Sequence, residues 1–239
     1  MQANSETNNK KIFIAGMLFI TSFYVFGCGD SMVSPLSQRN SIGNLTLSLK
    51  SSGSGNDDPL NIVIDQAKLL VKKVEFEVQG TENESEVEEG PFVINIDLAG
   101  GVKEISAGTI PSGTYDKVKF QIHKPDDNET PPDPEFKDGN SGNQRYSFII
   151  KGTINGEPFV YKSKKSIDLS IDLVSPVNVQ NIQNNITVLL TQRIWFLING
   201  NTVDPREPSH ENEIDDNLKN SFSQAYKDDD RNGELDRNN

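Results

Sequence analysis

The stretch that decides the fold class is IDLSIDL, residues 167–173. Apolar and polar side chains alternate in it, so that every second residue of an extended chain faces the same side. This period of two is typical of a β-strand with one buried face. The same pattern recurs along the chain, at residues 45–49, 62–78, 92–98, 118–122, 148–150 and 159–161.

The number and spacing of these segments predict the fold class. About eight strands, separated by turn residues and without intervening amphipathic helices, indicate an all-β fold, an antiparallel β-sandwich. We assign this domain to residues 44–203, with a hairpin turn at Asn155-Gly156. Residues 186–198 are the most apolar stretch, and we expect Trp195 and Phe196 in or beside the core. A helix over residues 67–73 is the alternative to a strand there, but β-branched neighbours favour the strand.

The C-terminal region, residues 204–239, begins with a break at residues 204–208, after which Ser209 could cap a helix. Apolar residues then follow at helical spacing, at Ile214, Leu218, Phe222 and Ala225. They predict a short C-terminal amphipathic helix that packs on the sandwich. The alternative is a protruding helix that binds a partner.

The N-terminus has the pattern of a bacterial lipoprotein signal. Lys10 and Lys11 precede an apolar run at residues 12–26, Gly27 is the small residue before cleavage, and Cys28 is the only cysteine of the chain. A basic start, a short apolar segment and a small residue are the parts of a cleaved secretory signal. We therefore predict a signal peptide at residues 1–27 and a flexible tether at residues 28–43 that is lipid-anchored through Cys28.

The predicted location follows from this lipidation. Two or more acyl chains, such as palmitate, attach a protein to a membrane stably, whereas one does so only reversibly. Gly29 follows the cysteine, which favours the outer membrane of a Gram-negative bacterium. The alternative is an ordinary signal peptide or a short membrane helix with an unrelated cysteine.

The charge limits the kinds of partner. The chain has 23 basic and 35 acidic residues and a net charge of −12. An acidic surface of this kind argues against nucleic acid as a partner and is compatible with divalent cations and basic proteins. Two acidic segments, residues 81–90 and 125–142, are predicted to be solvated, mobile insertions between strands.

An Asp-rich segment near the C-terminus matches part of a calcium loop. On the EF-hand template, Asp228, Asp230 and Asn232 take the first, third and fifth positions and Gly233 the turn. Further candidate ligands follow at Glu234 and Asp236. The twelfth position is Asn239 instead of a bidentate Glu, so the sequence predicts either weak calcium binding or a solvated acidic tail.

Several segments together carry a family resemblance. They are IDQAKLLVKKVEFEV at residues 64–78, GTYDKVKF at 113–120, Trp195-Phe196 followed by Asp204-Pro205, and IDDNLKNSF at 214–222 before the Asp-rich segment. In these the chain resembles bacterial envelope lipoproteins that carry a β-rich domain of unknown function. The resemblance implies a fold and a location and names no catalytic residue.

The 113–120 segment also has a structural interpretation. Residues 111–113, Pro-Ser-Gly, form a turn, and Tyr115 starts the next strand. We expect its hydroxyl to bond a nearby backbone group, as in a tyrosine corner.

No residue pattern indicates catalysis. The two histidines, His123 and His210, have no partner in sequence for base catalysis or metal binding, and no nucleophile, zinc or phosphate-binding motif is present. The first hypothesis is a non-catalytic envelope protein that binds a protein or glycan or serves assembly. The alternative is a hydrolase that uses carboxylates on envelope or extracellular glycans, which a cleft with acids and exposed aromatic side chains would favour.

Overall fold

The structure is a computed structural model, and it describes residues 42–52, 60–81, 83–180 and 182–236. The predicted signal peptide, Cys28 and the tether up to residue 41 lie outside the described residues, as does Asn239.

The described chain is built almost entirely of β-strands, which confirms the all-β class. In chain order the elements are β1 (Ile42–Ser52), β2 (Ile62–Val78), β3 (Glu84–Asn95), β4 (Val102–Pro111), β5 (Gly113–Ile122), β6 (Phe148–Ile154), β7 (Glu157–Ser163), β8 (Ile167–Val179), β9 (Gln183–Thr191), β10 (Leu197–Ile198), β11 (Asn201–Thr202), α1 (Glu211–Asn220) and β12 (Phe222–Lys227). Strand β4 was not predicted from the sequence.

All strands but β10 and β11 share one sheet. Its order is β4-β1-β9-β12-β8-β5-β2-β6-β7, and β3 pairs with the other edge of β2. Most neighbours are antiparallel, but β1 and β9 are parallel, and so are β8 and β12. The expectation of antiparallel pairing therefore has to be corrected at these two pairs.

The sheet curls because β2 is long enough to pair with two different strands along one edge. Its first half pairs with β6 and its second half with β5. Strand β3 runs along the opposite edge of β2 and comes close to β4 at the far end of the strand order. A Cβ on Gly108 of β4 would lie only 2.7 Å from the carbonyl oxygen of Val87 in β3, so only glycine fits this approach.

One continuous apolar core lies inside the curl. The predicted inward residues of β5, Val118, Phe120 and Ile122, are all buried, and Trp195 and Phe196 are buried as expected. Asn155 and Gly156 have φ of 51° and 84°, the left-handed conformation that a tight hairpin requires, which confirms the predicted turn. The predicted tyrosine corner is also confirmed, since the Tyr115 hydroxyl donates to the Pro111 carbonyl over 2.8 Å.

The predicted C-terminal helix is correct in its first half only. Helix α1 ends at Asn220, and it buries Ile214 and Leu218 as expected. Its N-cap is His210 instead of Ser209. Phe222 and Ala225 belong to β12, where a register shift between Phe222 and Gln224 produces a spacing that resembles a helix.

The position of β12 changes the predicted domain boundary. This strand pairs with β9 on one side and with β8 on the other. A strand from residues 222–227 thus completes the middle of the sheet, and the region after residue 204 is part of the body.

The two acidic segments do not have the structure of mobile insertions. Residues 84–90 are the first half of β3. Residues 125–142, which we name the outer loop, pack on the outer face of β2 and β6, where Phe136 is buried against Leu70, Tyr146 and Ile149. Ion pairs join the loop to the strands, with Lys68 2.5 Å from both Asp133 and Glu135.

Candidate functional site: the C-terminal Asp-rich loop

The Asp-rich loop, residues 228–236, leaves the end of β12 and covers β1 and β9. The Lys50 ammonium of β1 donates to the Gly233 carbonyl over 2.9 Å. Arg231 donates to the Thr46 hydroxyl over 3.2 Å and pairs with Glu104 of β4 at 2.8 Å. The loop is therefore joined to three strands of the sheet and is not a free tail.

A buried polar network lies beneath the loop. The Ser48 hydroxyl donates to Asn185 Oδ1 over 2.8 Å, and Asn185 Nδ2 donates to Thr187 Oγ1 over 3.1 Å. The Thr187 hydroxyl in turn donates to Asp228 Oδ2 over 2.6 Å. All four residues are buried. The loop therefore covers the face of β1 that the alternation of apolar and polar residues predicts to be exposed to solvent.

Sequence reasoning missed this network because Ser48 alternates with leucines, as an exposed strand residue does. One signal was present. Asn184 and Asn185 interrupt the start of an apolar strand, and buried amides of this kind need hydrogen-bond partners.

Asp228 is the most enclosed acid of the loop, with no exposed surface. Its carboxylate accepts from Thr187 and from the Gly233 N–H, at 3.1 Å to Oδ2, and both partners are uncharged. Burial raises the pKa of Asp228, and the neighbouring Asp230 carboxylate adds to the increase, against the two hydrogen bonds that lower it.

Asp230 and Asn232 lie on the exposed side of the same turn. Asn232 Nδ2 donates to Asp230 Oδ2 over 2.8 Å, and the Glu234 N–H donates to Asn232 Oδ1 over 2.7 Å. Gly233 has φ of +79°, and a Cβ there would lie 2.6 Å from Lys50 Nζ. The template's requirement for glycine at this position is thus met.

The loop brings together only part of the predicted ligand set. Asp228, Asp230 and Asn232 share one turn, whereas Asp236 is directed to the Asp229 N–H, 2.7 Å from its Oδ2. The Glu234 side chain is exposed. In the part of the chain that the structure describes, no cluster of three or more His, Cys, Asp or Glu side chains is arranged to hold a metal ion.

A second buried acid, also missed from the sequence, holds α1 on the sheet. The Tyr161 hydroxyl of β7 donates to Asp215 Oδ1 over 2.7 Å. Burial raises the pKa of Asp215, while its hydrogen bonds to Tyr161 and Ser163 lower it. The two histidines contact other groups: His123 Nε2 lies 2.8 Å from Asp168 Oδ1, and His210 Nδ1 lies 3.3 Å from the Asp204 carbonyl oxygen.

Helices of the described residues are too short or too polar to cross a membrane. A comparison with models of protein families found no match. A search of curated proteins found no match either. Among solved structures, MbnP from Methylosinus trichosporium is similar over 62% of this chain and 75% of its own, with 11% identity and a TM-score of 0.36. At that TM-score the similarity carries no argument about fold or function.

Proposed function

We propose that the chain is a non-catalytic lipoprotein of the cell envelope, attached to the outer membrane of a Gram-negative bacterium through Cys28, whose β-sandwich body binds a protein or glycan partner. The observation that carries the proposal is the position of the only cysteine. It directly follows Gly27 at the end of an apolar run with lysines before it. A thiol in this context is what lipidation needs, and it is the one place where the chain offers a thiol.

Three acids with shifted pKa values, Glu135, Asp215 and Asp228, are poor candidates for a catalytic acid. Glu135 lies between Lys151 and Lys68, whose hydrogen bonds lower its pKa to about 2. A carboxyl of this kind is ionised at neutral pH and cannot donate a proton. Asp215 and Asp228 have raised pKa values, but both are buried and hydrogen-bonded to the protein. A glycan hydrolase needs a protonated acid that reaches the substrate.

We also propose that the Asp-rich loop binds calcium weakly. The buried Asp228 carboxylate has only uncharged hydrogen-bond partners, and Asp230 lies beside it, so a divalent cation would relieve a real electrostatic cost. Asp228, Asp230 and Asn232 supply oxygen atoms, which are the ligands of calcium. The separation of Asp236 from this group limits the number of protein ligands and suits an affinity of about 10⁻⁴ to 10⁻³ M.

Metabolic labelling tests the lipid attachment. The parent chain, Cys28→Ser and the control Ser31→Ala are expressed with labelled palmitate, and detergent phase separation follows. We expect label and membrane association in the parent and in Ser31→Ala, and neither in Cys28→Ser. Label in the Cys28→Ser protein would overturn the proposal.

Calorimetric titration tests the calcium proposal. Asp230→Ala removes an exposed ligand and leaves the hydrogen bonds among Ser48, Asn185, Thr187 and Asp228 in place. Glu213→Ala removes one exposed charge from α1 as a control. Millimolar calcium should release or absorb heat with the parent and with Glu213→Ala, but not with Asp230→Ala. Equal heats for all three proteins would contradict a site in this loop.

An assay of new reducing ends separates binding from hydrolysis. The purified chain is incubated with envelope glycans, and soluble reducing sugars are measured over time. We expect no increase over buffer. A steady increase would overturn the non-catalytic proposal and favour the hydrolase.

A further inference from the structure

Three segments of the body carry no charge in a chain that is otherwise rich in charge. They are residues 42–44, 109–114 and 178–184, and they contain none of the 23 basic and 35 acidic residues. The third lies within a longer stretch, residues 173–192, that also lacks any charged residue.

Pairing brings these segments to one end of the sheet. Ile42 of β1 pairs with Pro111 of β4, and Asn44 pairs with Gln183 of β9. Gly113 of β5 pairs with Val179 of β8. We name this surface the uncharged end, defined by residues 42–44, 109–114, 178–180 and 182–184.

The chain segments of the uncharged end pack closely. A Cβ on Gly43 would lie 2.4 Å from the Gln180 carbonyl oxygen. Asn184 Nδ2 donates to the Ile182 carbonyl over 2.9 Å. The segments of the uncharged end are therefore held against one another by close packing and hydrogen bonding.

Two large apolar side chains project from this surface. Ile42 and Ile182 are each 60% exposed, the largest values among the large apolar residues described. Moving exposed apolar surface out of water lowers the free energy. Two isoleucines on an uncharged background are thus suited to contact an apolar surface.

We propose that the uncharged end contacts the lipid surface to which Cys28 is attached. The inference rests on the proposed lipidation and adds which side of the body faces the bilayer. Cys28 precedes Ile42 by fourteen residues. An extended chain of that length reaches at most about 50 Å, so a lipid on Cys28 would keep Ile42, where the described body begins, within that distance of the bilayer.

Charge also favours this face over the others. The remaining surface carries the net negative charge, which anionic headgroups repel. The acids that come nearest through contacts with β9 are buried, as Asp228 is, or paired with a lysine, as Asp229 is. Asp228 accepts from Thr187, and Asp229 pairs with Lys227 at 2.7 Å and accepts from the Asn185 N–H over 2.9 Å.

Fluorescence quenching in vesicles tests the inference. The lipidated full chain is reconstituted in phosphatidylcholine vesicles with or without spin-labelled lipid. A fluorophore is attached through Ile182→Cys or, in a second protein, Ile42→Cys. The matched control is Val160→Cys on β7, which is 54% exposed and distant from the uncharged end in the strand order. Acylation blocks Cys28, so only the new thiol reacts.

We expect spin-labelled lipid to quench the probes at positions 182 and 42 and to leave the probe at 160 nearly unchanged. Equal quenching at all three positions in vesicles that carry the protein would overturn the inference and leave lipid anchoring intact. Protein that does not float with the vesicles would overturn both. An emission shift at position 182 that disappears on protein dilution would assign the uncharged end to a second copy of the chain and overturn lipid contact.

Discussion

Phe120 and Lys119 are adjacent residues of β5 with opposite surroundings. Phe120 is 1% exposed and packs against Phe222, with ring centroids 6.2 Å apart. Lys119 points outward and pairs with Glu77 at 2.6 Å and with Glu84. We expect Phe120→Ala to lower the free energy of unfolding by about 3–5 kcal/mol, because it leaves a cavity in the core.

Lys119→Ala is the control for this substitution. It removes partly exposed ion pairs, which contribute at most about 1 kcal/mol each. Urea denaturation of the two variants measures the difference. Equal midpoints would show that the register of β5 is wrong.

Thr187 tests the buried network at the level of one hydroxyl. Thr187→Val keeps the shape of the side chain but removes the donor to the buried Asp228 carboxylate. We expect a loss of about 1–3 kcal/mol in the free energy of unfolding, since a buried acceptor loses its partner. The control is Thr153→Val on β6, whose side chain is half-buried on the outer face. A loss no greater than that of the control would contradict the network.

The stability of the outer loop depends on pH through its ion pairs. The pKa of Glu135 is lowered to about 2 by its hydrogen bonds to Lys151 and Lys68. Burial is the largest single influence on the pKa of Asp133 and raises it, but the hydrogen bonds from Lys68 and the Glu135 N–H, together with the Lys68 charge, outweigh burial and lower this pKa. A lowered pKa in the folded protein means that ionisation of the carboxyl stabilises the folded state. The contribution of the ionised Glu135 carboxyl to the stability of the folded state is complete above its ordinary pKa, about 4.3, and is lost as the pH falls toward 2.

Glu135→Gln should therefore reduce the acid sensitivity of the protein. Urea midpoints at pH 6 and pH 3 are compared for the parent, for Glu135→Gln and for Glu207→Gln, an exposed acid outside the loop. We expect the fall in stability between the two pH values to be smaller in Glu135→Gln than in the other two proteins. The same fall in all three would show that these ion pairs do not hold the loop.

The sheet of the described body depends on β12, the last of the described strands. Without β12 the sheet divides into one set of strands, β4-β1-β9, and another, β8-β5-β2-β6-β7. A chain that ends at residue 203, the boundary predicted from sequence, should therefore fail to form a compact, protease-resistant body. A chain that ends at residue 236 is the control. Size-exclusion chromatography and proteolysis compare them, and a folded 203-residue product would contradict the central position of β12.

Much of the fold could be predicted because alternation is local. Val118, Phe120 and Ile122 follow a period of two, and the Asn155-Gly156 turn has a conformation that few other residues adopt. The parallel pairs could not be predicted, since Leu47 and Ile186 lie far apart in sequence and nothing in either strand selects its neighbour. The sequence predicts a helix where β12 lies, because apolar residues three or four positions apart occur both in a helix and in a strand with a bulge.

The sequence predicts the loop of the candidate site but not the contacts between the loop and the residues around it. The template correctly grouped Asp228, Asp230, Asn232 and Gly233 in one turn. It could not show that Asp228 joins Thr187, or that Asp236 is directed to the Asp229 N–H. Those contacts arise when the loop closes over β1 and β9, which depends on tertiary packing.

β12, which lies in the middle of the sheet, is also the latest in chain order of the described strands. Until residues 222–227 emerge, β8 and β9 have open edges where β12 belongs. Open edges pair readily with other chains, so the nascent protein is exposed to wrong pairing during this interval. If the chain is exported as proposed, the same delay keeps it incompletely folded and able to pass through a translocation channel. Completion of this sheet therefore waits until every other described strand has been made.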